Sequence, residues 1–121
     1  MNKRQKGSWF EDVACEYIQA SGAGIIRRNY RIRSGEIDII AKDGKYYCFI
    51  EVKYRKDSRY GEPESAVNYF KQKQISGVSR HFLSYILKSV EVPVRYDVIA
   101  ISGEKGAVTV RWLKNAFEYM G

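Results

Sequence analysis

The sequence predicts a mixed α/β domain built on one sheet. An amphipathic helical run lies near the start, two strand-like runs joined by Lys-Asp-Gly-Lys follow, and a second helical run separates that hairpin from two closing strands.

The first helix is expected over residues 8–21, where Phe10, Val13, Ala14, Tyr17 and Ile18 recur at the spacing of one buried face. Ser8 is its expected N-cap and Gly22 its stop. Residues 25–33 (IIRRNYRIR) mix apolar and basic side chains in a strand-like way, and 36–41 (EIDIIA) and 46–54 (YYCFIEVKY) read as better strands. An Asp-Gly connection between such runs is a strong hairpin signal. The polar stretch 55–65, with Gly and Pro, reads as a loop, either a lid over a substrate or a plain surface connection. A long helix is expected over 66–88, with Ile75, Val78, Phe82 and Ile86 on one face and Gly77 as a weak point. Strands at 94–101 and 107–112 flank the turn SGEKG, and NAFEYM suggests a last short helix. The order is α-β-β-β-α-β-β, with no linker, repeat or compositional break, so residues 1–121 are expected to form a single domain.

The composition, 45% hydrophobic with 14% aromatic residues, is that of a globular chain able to bury a core without disulfides or a structural metal. The charged start does not read as a signal peptide, and no apolar run approaches the roughly 20 residues that span a bilayer. Cys15 and Cys48 lie in predicted regular structure without metal-ligand spacing, as core thiols in a reducing compartment would. A cytoplasmic protein with no membrane association is the expectation. Lys and Arg outnumber Asp and Glu by 21 to 14, a net charge of +7. The excess is clustered at Arg27, Arg28, Arg31 and Arg33, at Lys53, Arg55, Lys56 and Arg59, and at Lys71 and Lys73. Clustered cations suit a polyanionic partner, most simply nucleic acid, through counterion release; a merely soluble basic surface is the alternative.

The hairpin carries the chemistry. Side chains alternate across a strand. With Asp43-Gly44 as the two-residue loop, Asp38 pairs with Phe49 and Glu36 faces Glu51. Ile37, Ile39 and Ala41 then share an apolar face with Tyr46, Cys48, Ile50, Val52 and Tyr54. The other face is apolar near the turn (Ile40, Tyr47, Phe49) and carries Glu36, Asp38, Glu51 and Lys53 away from it. Asp38 and Glu51 become diagonal neighbours, about 7–8 Å apart at the backbone, within reach of a shared ion. Like charges face to face are destabilising unless a cation intervenes, and carboxylate oxygens are what Mg²⁺ prefers. A solvent-facing antiparallel sheet, which also carries charge, is the competing account.

The residues G-E-I-D-I-I at 35–40 and F-I-E-V-K-Y-R at 49–55 resemble the YraN family of small bacterial proteins. That family is similar to the restriction-endonuclease-like PD-(D/E)xK superfamily and to archaeal Holliday-junction resolvases. The likeness extends to Gly7–Ile18, the IIRRNY stretch, Ala66–Ile75, Arg95–Ile101 and Asn115–Phe117, in the same order along the chain. It implies a restriction-endonuclease-like αβββαβ core, a mixed sheet flanked by helices. Asp38, Glu51 and Lys53 would be the D, E and K of the motif, and Glu11 an additional acid near the metal. Ile37 stands where the motif's proline would be.

On this resemblance Glu11, Asp38 and Glu51 hold Mg²⁺ or Mn²⁺, and Lys53 orients the attacking water or neutralises developing charge. Glu36 either supports a ligand or is simply exposed. The implied activity is phosphodiester hydrolysis in branched or flapped DNA. A nucleic-acid-binding module that no longer cuts, or a scaffold for a repair or recombination assembly, is the alternative. Arg27, Arg28, Arg31, Arg33, Arg55, Lys56 and Arg59 would grip the backbone, while Lys71 and Gln72 either contact phosphate or decorate a helix start. Resolvase-like relatives act as dimers, so the resemblance leaves room for a homodimer. The ten tyrosines are ordinary strand filler or stacking platforms. His81 reads as a packing or surface residue, and Asp97 as structural, pairing with Arg95 or Arg111.

Overall fold

The structure, a computed structural model, describes residues 2–56, 67–104 and 106–121. Arg59 and most of the expected 55–65 loop lie outside the described residues. The elements run α1 (Lys3–Ala20), β1 (Gly24–Ile32), β2 (Gly35–Asp43), β3 (Tyr46–Arg55), α2 (Tyr69–His81), a π-helical extension (Phe82–Leu87), β4 (Val94–Glu104) and β5 (Ala107–Phe117). This is the mixed α/β order αβββαβ, with one further strand at the end.

The five strands pair in sequence order. β1, β2 and β3 form an antiparallel meander, β3 and β4 are parallel, and β4 and β5 are antiparallel again. Parallel neighbours need a long crossover, and the segment holding α2 supplies it. Each face of the sheet is covered by one helix. Phe10, Ala14, Cys15 and Ile18 of α1 pack on Ile39, Ala41, Cys48, Ile50, Ile99 and Ile101. On the other face Ile75, Val78 and Phe82 pack on Ile37, Ile40, Phe49, Tyr96 and Val98. Each fully buried side chain of this size contributes about 1.5–3 kcal/mol over leaving it exposed. Cys15 and Cys48 are buried free thiols. Among the described residues no helix is long and apolar enough to cross a membrane.

Several local expectations are corrected. α1 begins five residues before Ser8, capped by Asn2, whose side chain accepts from the Gln5 backbone N–H while Gln5 answers with the reciprocal bond. That capping box satisfies two otherwise orphaned donors. α2 begins at Tyr69, capped by Asn68, rather than at residue 66. Its far end continues as π-helix to a left-handed Lys88 (φ +60°). The expected helix NAFEYM does not form. β5 instead runs to Phe117, through a left-handed Asn115 whose N–H is taken by buried Asp97.

The hairpin loop is Gly44-Lys45, not Asp43-Gly44, because Asp43 pairs with Tyr46. Gly44 takes the left-handed φ (+59°) that the turn requires. The pairing therefore shifts by two residues: Ile40, not Asp38, meets Phe49, and Glu36 pairs with Arg31 of β1 instead of facing Glu51. Alternation also breaks at Asp38. Ile37 belongs to the cluster under α2 with Ile40, not to the α1 face with Ile39 and Ala41.

Candidate active site

The last paired position of the β2–β3 ladder is Ile39 with Ile50. One step further along, Asp38 and Glu51 come abreast, closer than the diagonal relation expected. There the strands part, and the Asp38 side chain takes over a ladder role: its Oδ2 accepts the Val52 backbone N–H at 2.8 Å. Across β2, Asp38 lies abreast of Asn29, which is left-handed at φ +52°. Asparagine is one of the few side chains that tolerate this conformation. The backbone irregularity coincides with the break in alternation at Asp38.

Glu51 is buried, with 4% of its surface exposed. That rules out the solvent-facing account for this end of the sheet. Its Oε2 lies 3.4 Å from Lys53 Nζ and 3.8 Å from Lys71 Nζ, so one lysine from β3 and one from the first turn of α2 meet the same carboxylate. Burial, followed by the charge of Glu51, pushes the Asp38 carboxyl up to about 8. Two carboxylates held together out of water retain a proton unless a cation replaces it.

Glu11 projects from α1 into a neighbouring cleft of about 460 Å³, lined by Lys3, Arg4, Ser8, Asn29, Arg31 and Glu36 among others. Burial raises its carboxyl, opposed by a hydrogen bond from Asn29 and by the charge of Arg28. Glu11 is near enough to the Asp38–Glu51 pair for its charge to act on the Asp38 carboxyl. The pair itself fits a hard divalent ion such as Mg²⁺. Such an ion takes oxygen ligands, commonly only one or two carboxylates, and keeps several of its waters.

The basic residues divide by their partners. Arg31 donates to Glu36 through Nε at 2.8 Å and also through its Nη2. Arg28 meets Asp12 at 2.8 Å and Glu11 at 3.8 Å. Lys56 pairs with Glu104 at 3.2 Å. Exposed pairs of this kind are worth at most about 1 kcal/mol and exchange readily for a phosphate. Arg27 and Arg55 each donate to a backbone carbonyl, those of Ile26 and Tyr54. Arg33 lines a second cleft of about 420 Å³ with Ser34, Gly35 and Gln74, which shares Arg31 and Glu36 with the first. The two clefts thus make one basic groove past the β1–β2 turn. Gln72 turns its amide inward to the Val67 carbonyl at 2.9 Å.

Comparison with known proteins places the chain in a family. The model of a family described as "Uncharacterised protein family UPF0102" matches residues 10–101. The chain belongs to the UPF0102 (YraN) family. A UPF0102 protein of Nitrosococcus oceani is 40% identical over 94% of this chain and 92% of its own length. Relatives from Thermodesulfovibrio yellowstonii (40% identical, covering 97% of this chain and 99% of the relative) and Symbiobacterium thermophilum (43%, covering 94% and 97%) are similar over nearly their whole length. The family match spans α1 to β4, and so includes every residue of the Asp38–Glu51–Lys53 constellation.

Three residues of the site and its groove, Asn29, Lys3 and Arg4, have little signal in the sequence, and one contact of Lys71 has none. Asn29 lay within a strand-like run, and its only signal was an asparagine among residues with higher strand propensity. Lys3 and Arg4 precede the first apolar periodicity, so nothing marked them as groove residues. Lys71 was noted as a candidate phosphate contact, but its approach to Glu51 depends on how α2 docks and has no signature in local sequence.

Proposed function

We propose that this UPF0102 chain is a divalent-metal-dependent nuclease that hydrolyses phosphodiester bonds in branched or flapped DNA. The observation that carries this reading is the Asp38–Glu51 pair at the parting of β2 and β3, with the Lys53 ammonium 3.4 Å from Glu51. Asp38 and Glu51 would hold Mg²⁺ or Mn²⁺. The ion would stabilise charge on the phosphate and make a bound water more acidic.

This chain's own groups do the rest. The Val52 N–H fixes the Asp38 carboxylate, leaving its other oxygen toward Glu51. Lys53 supplies a fixed positive charge where negative charge develops on the phosphate, a preorganised arrangement that costs no reorganisation during reaction. Lys71 adds a second cation from the helix side. Glu11, close enough for its charge to act on Asp38, orients water at the edge of the site. The groove lined by Lys3, Arg4, Arg31 and Arg33 grips backbone phosphates, and Arg27, Arg28, Arg55 and Lys56 add to the basic surface. Phosphate contacts of this kind position the strand without reading its sequence.

A second reading has its own observation. Glu51 already meets two lysines, so its charge is balanced without a metal, as suits a module that binds nucleic acid and does not cut it. Cleavage of a labelled four-way junction, flap, duplex and single strand in Mg²⁺, Mn²⁺ and EDTA separates the two. The nuclease cuts only with metal and loses cutting in Asp38→Ala and Lys53→Ala proteins that still fold. Binding without cutting, indifferent to EDTA and to both substitutions, would leave the binding module.

A further inference from the structure

The first turn of α2 carries two aromatic side chains that the core does not use. Phe70 is 79% exposed and Tyr69 56% exposed, the highest and third-highest exposures among the large hydrophobic residues described. At 100° per helical residue, Lys71 lies about 40° from the buried Ile75, while Tyr69 and Phe70 lie roughly 120° and 140° away from it. Packing against the sheet therefore accounts for Lys71 and not for its two neighbours. The rings meet edge to face, with centroids 5.6 Å apart, which orients them relative to each other.

This pair sits at the rim of the proposed active site. Lys71, the next residue, brings its ammonium 3.8 Å from Glu51. The turn is firmly set. Asn68 Oδ1 accepts the Lys71 N–H at 2.9 Å, the Asn68 carbonyl accepts the Gln72 N–H at 2.9 Å, and the Gln72 side chain ties back to Val67. Lys73, exposed on the same outer side, is the i+4 neighbour of Tyr69 and the i+3 neighbour of Phe70. Rigid aromatic faces with an ammonium beside them, next to a groove of cations, combine the two elements by which proteins hold single strands: a surface for bases and charge for phosphates.

We infer that Tyr69 and Phe70 form a stacking platform for unpaired bases of the DNA strand entering the Asp38–Glu51 site. This rests on the nuclease reading and narrows its substrate to DNA with an unpaired flank. A paired duplex keeps its bases stacked on each other and offers no free faces to the rings. A second protein copy is a poorer occupant. The two rings expose roughly 300 Å² between them, against about 800 Å² per partner in a stable interface.

The test measures binding in EDTA, so that cleavage does not enter it. Fluorescence anisotropy is recorded with a fluorescein-labelled oligothymidine strand, a flapped duplex and a blunt duplex, for wild type, Phe70→Ala, Tyr69→Ala/Phe70→Ala and Phe70→Trp. Phe70→Ala is expected to weaken single-strand and flap binding about tenfold, the double variant further, and blunt-duplex binding by no more than about twofold. Phe70→Trp should retain strand binding, and 2-aminopurine in the flap should change fluorescence on binding wild type but not the double variant. Equal losses on strand and duplex, or no loss, would overturn the platform while leaving the nuclease reading standing. Failure of wild type to bind any of the three DNAs would overturn both. A wild-type dimer that becomes monomeric in Phe70→Ala, seen by sedimentation, would reassign the rings to self-association.

Discussion

Asp38 Oδ2 accepts the Val52 backbone N–H at 2.8 Å, one position beyond the point where the β2–β3 ladder ends. A side chain thus replaces a main-chain acceptor at the site where the two strands part. The same bond secures the aspartate and leaves its carboxylate abreast of buried Glu51. Structure and proposed chemistry therefore share one group, and its substitutions separate the two contributions.

The pH dependence of stability should carry the signature of Asp38. Its carboxyl is raised from 3.8 to about 8 by burial and then by Glu51, so between those limits the folded chain holds a proton that the unfolded chain has released. Stability then falls as pH rises. The contribution is fully present below the unfolded value near 3.8 and lost as pH climbs through the folded one. Asp38→Asn cannot release a proton, so it should flatten this loss and be increasingly more stable than wild type from pH 5 to pH 8, as thermal melts without metal would measure. Asp38→Ala should fare worse than Asp38→Asn by about 1–3 kcal/mol, since it leaves the Val52 N–H without its acceptor. A wild-type melting temperature that rises over this range would contradict the assignment.

Metal should reverse that loss. An ion bound between Asp38 and Glu51 displaces the proton and stabilises the native state by mass action, by about 2.7 kcal/mol at a hundredfold excess over its dissociation constant. The melting temperature should rise with added Mg²⁺ or Mn²⁺, more at pH 8 than at pH 5, where protons compete. Asp38→Asn should abolish the increment. Glu11→Gln should reduce it only partly, because the charge of Glu11 acts on Asp38 less than that of Glu51 does. The chelator-treated protein should melt where the untreated, metal-free protein does.

Helix periodicity carried the element order and most of both cores: Phe10, Ala14, Ile18, Ile75, Val78 and Phe82 bury as their spacing implies. Tyr17 and Ile86, expected on the same faces, are exposed, and Ile37 joins the opposite core from the one alternation implies. Boundaries failed where a distant partner decides them. Residues Lys3–Gly7 form an exposed helical turn with little apolar content, and its signal is the Asn2 cap rather than a periodicity. β5 outran its alternation because Asp97, eighteen residues earlier, captures the Asn115 N–H. The hairpin register slipped because the turn signal leaves the placement of Asp43 open. In the fold Arg95 and Lys114 hold Asp43 in the strand at 2.8 and 3.0 Å. The acids are legible as types at a spacing; their being abreast depends on the register of β2 against β3, which no local pattern announces.

The two lysines at Glu51 should differ in consequence. Lys53 is on the same strand as Glu51, 3.4 Å from its carboxylate and largely enclosed; Lys71 reaches the same oxygen at 3.8 Å from a helix start. Lys53→Ala should cut the cleavage rate by about a hundredfold or more, the scale seen when one preorganised electrostatic donor is removed. Lys71→Ala should cost less, and should weaken DNA binding where Lys53→Ala leaves it nearly unchanged. Single-turnover cleavage alongside binding in EDTA distinguishes the outcomes. Equal effects of the two substitutions on both readouts would assign the lysines a common role in binding.

The buried Asp97 should prove structural and separable from the acids of the site. It is fully buried, and Arg95 donates to both its oxygens at 2.9–3.2 Å. Trp112 Nε1 and the Asn115 N–H donate to it at 2.8 Å each. Arg95 passes on to Asp43, which Lys114 also meets, so one carboxylate ties β4 to β5 and to the end of β2. Removing one member of a buried pair strands the other charge, at a cost of about 3–5 kcal/mol. Asp97→Ala should therefore lower the urea midpoint sharply, whereas Asp38→Asn, which keeps an acceptor for the Val52 N–H, should not. At a temperature where the variant is still folded, its DNA affinity should match wild type, since none of these groups lines the basic groove. Loss of binding by a folded Asp97→Ala protein would place the network in the nucleic-acid interface and not in the scaffold beneath it.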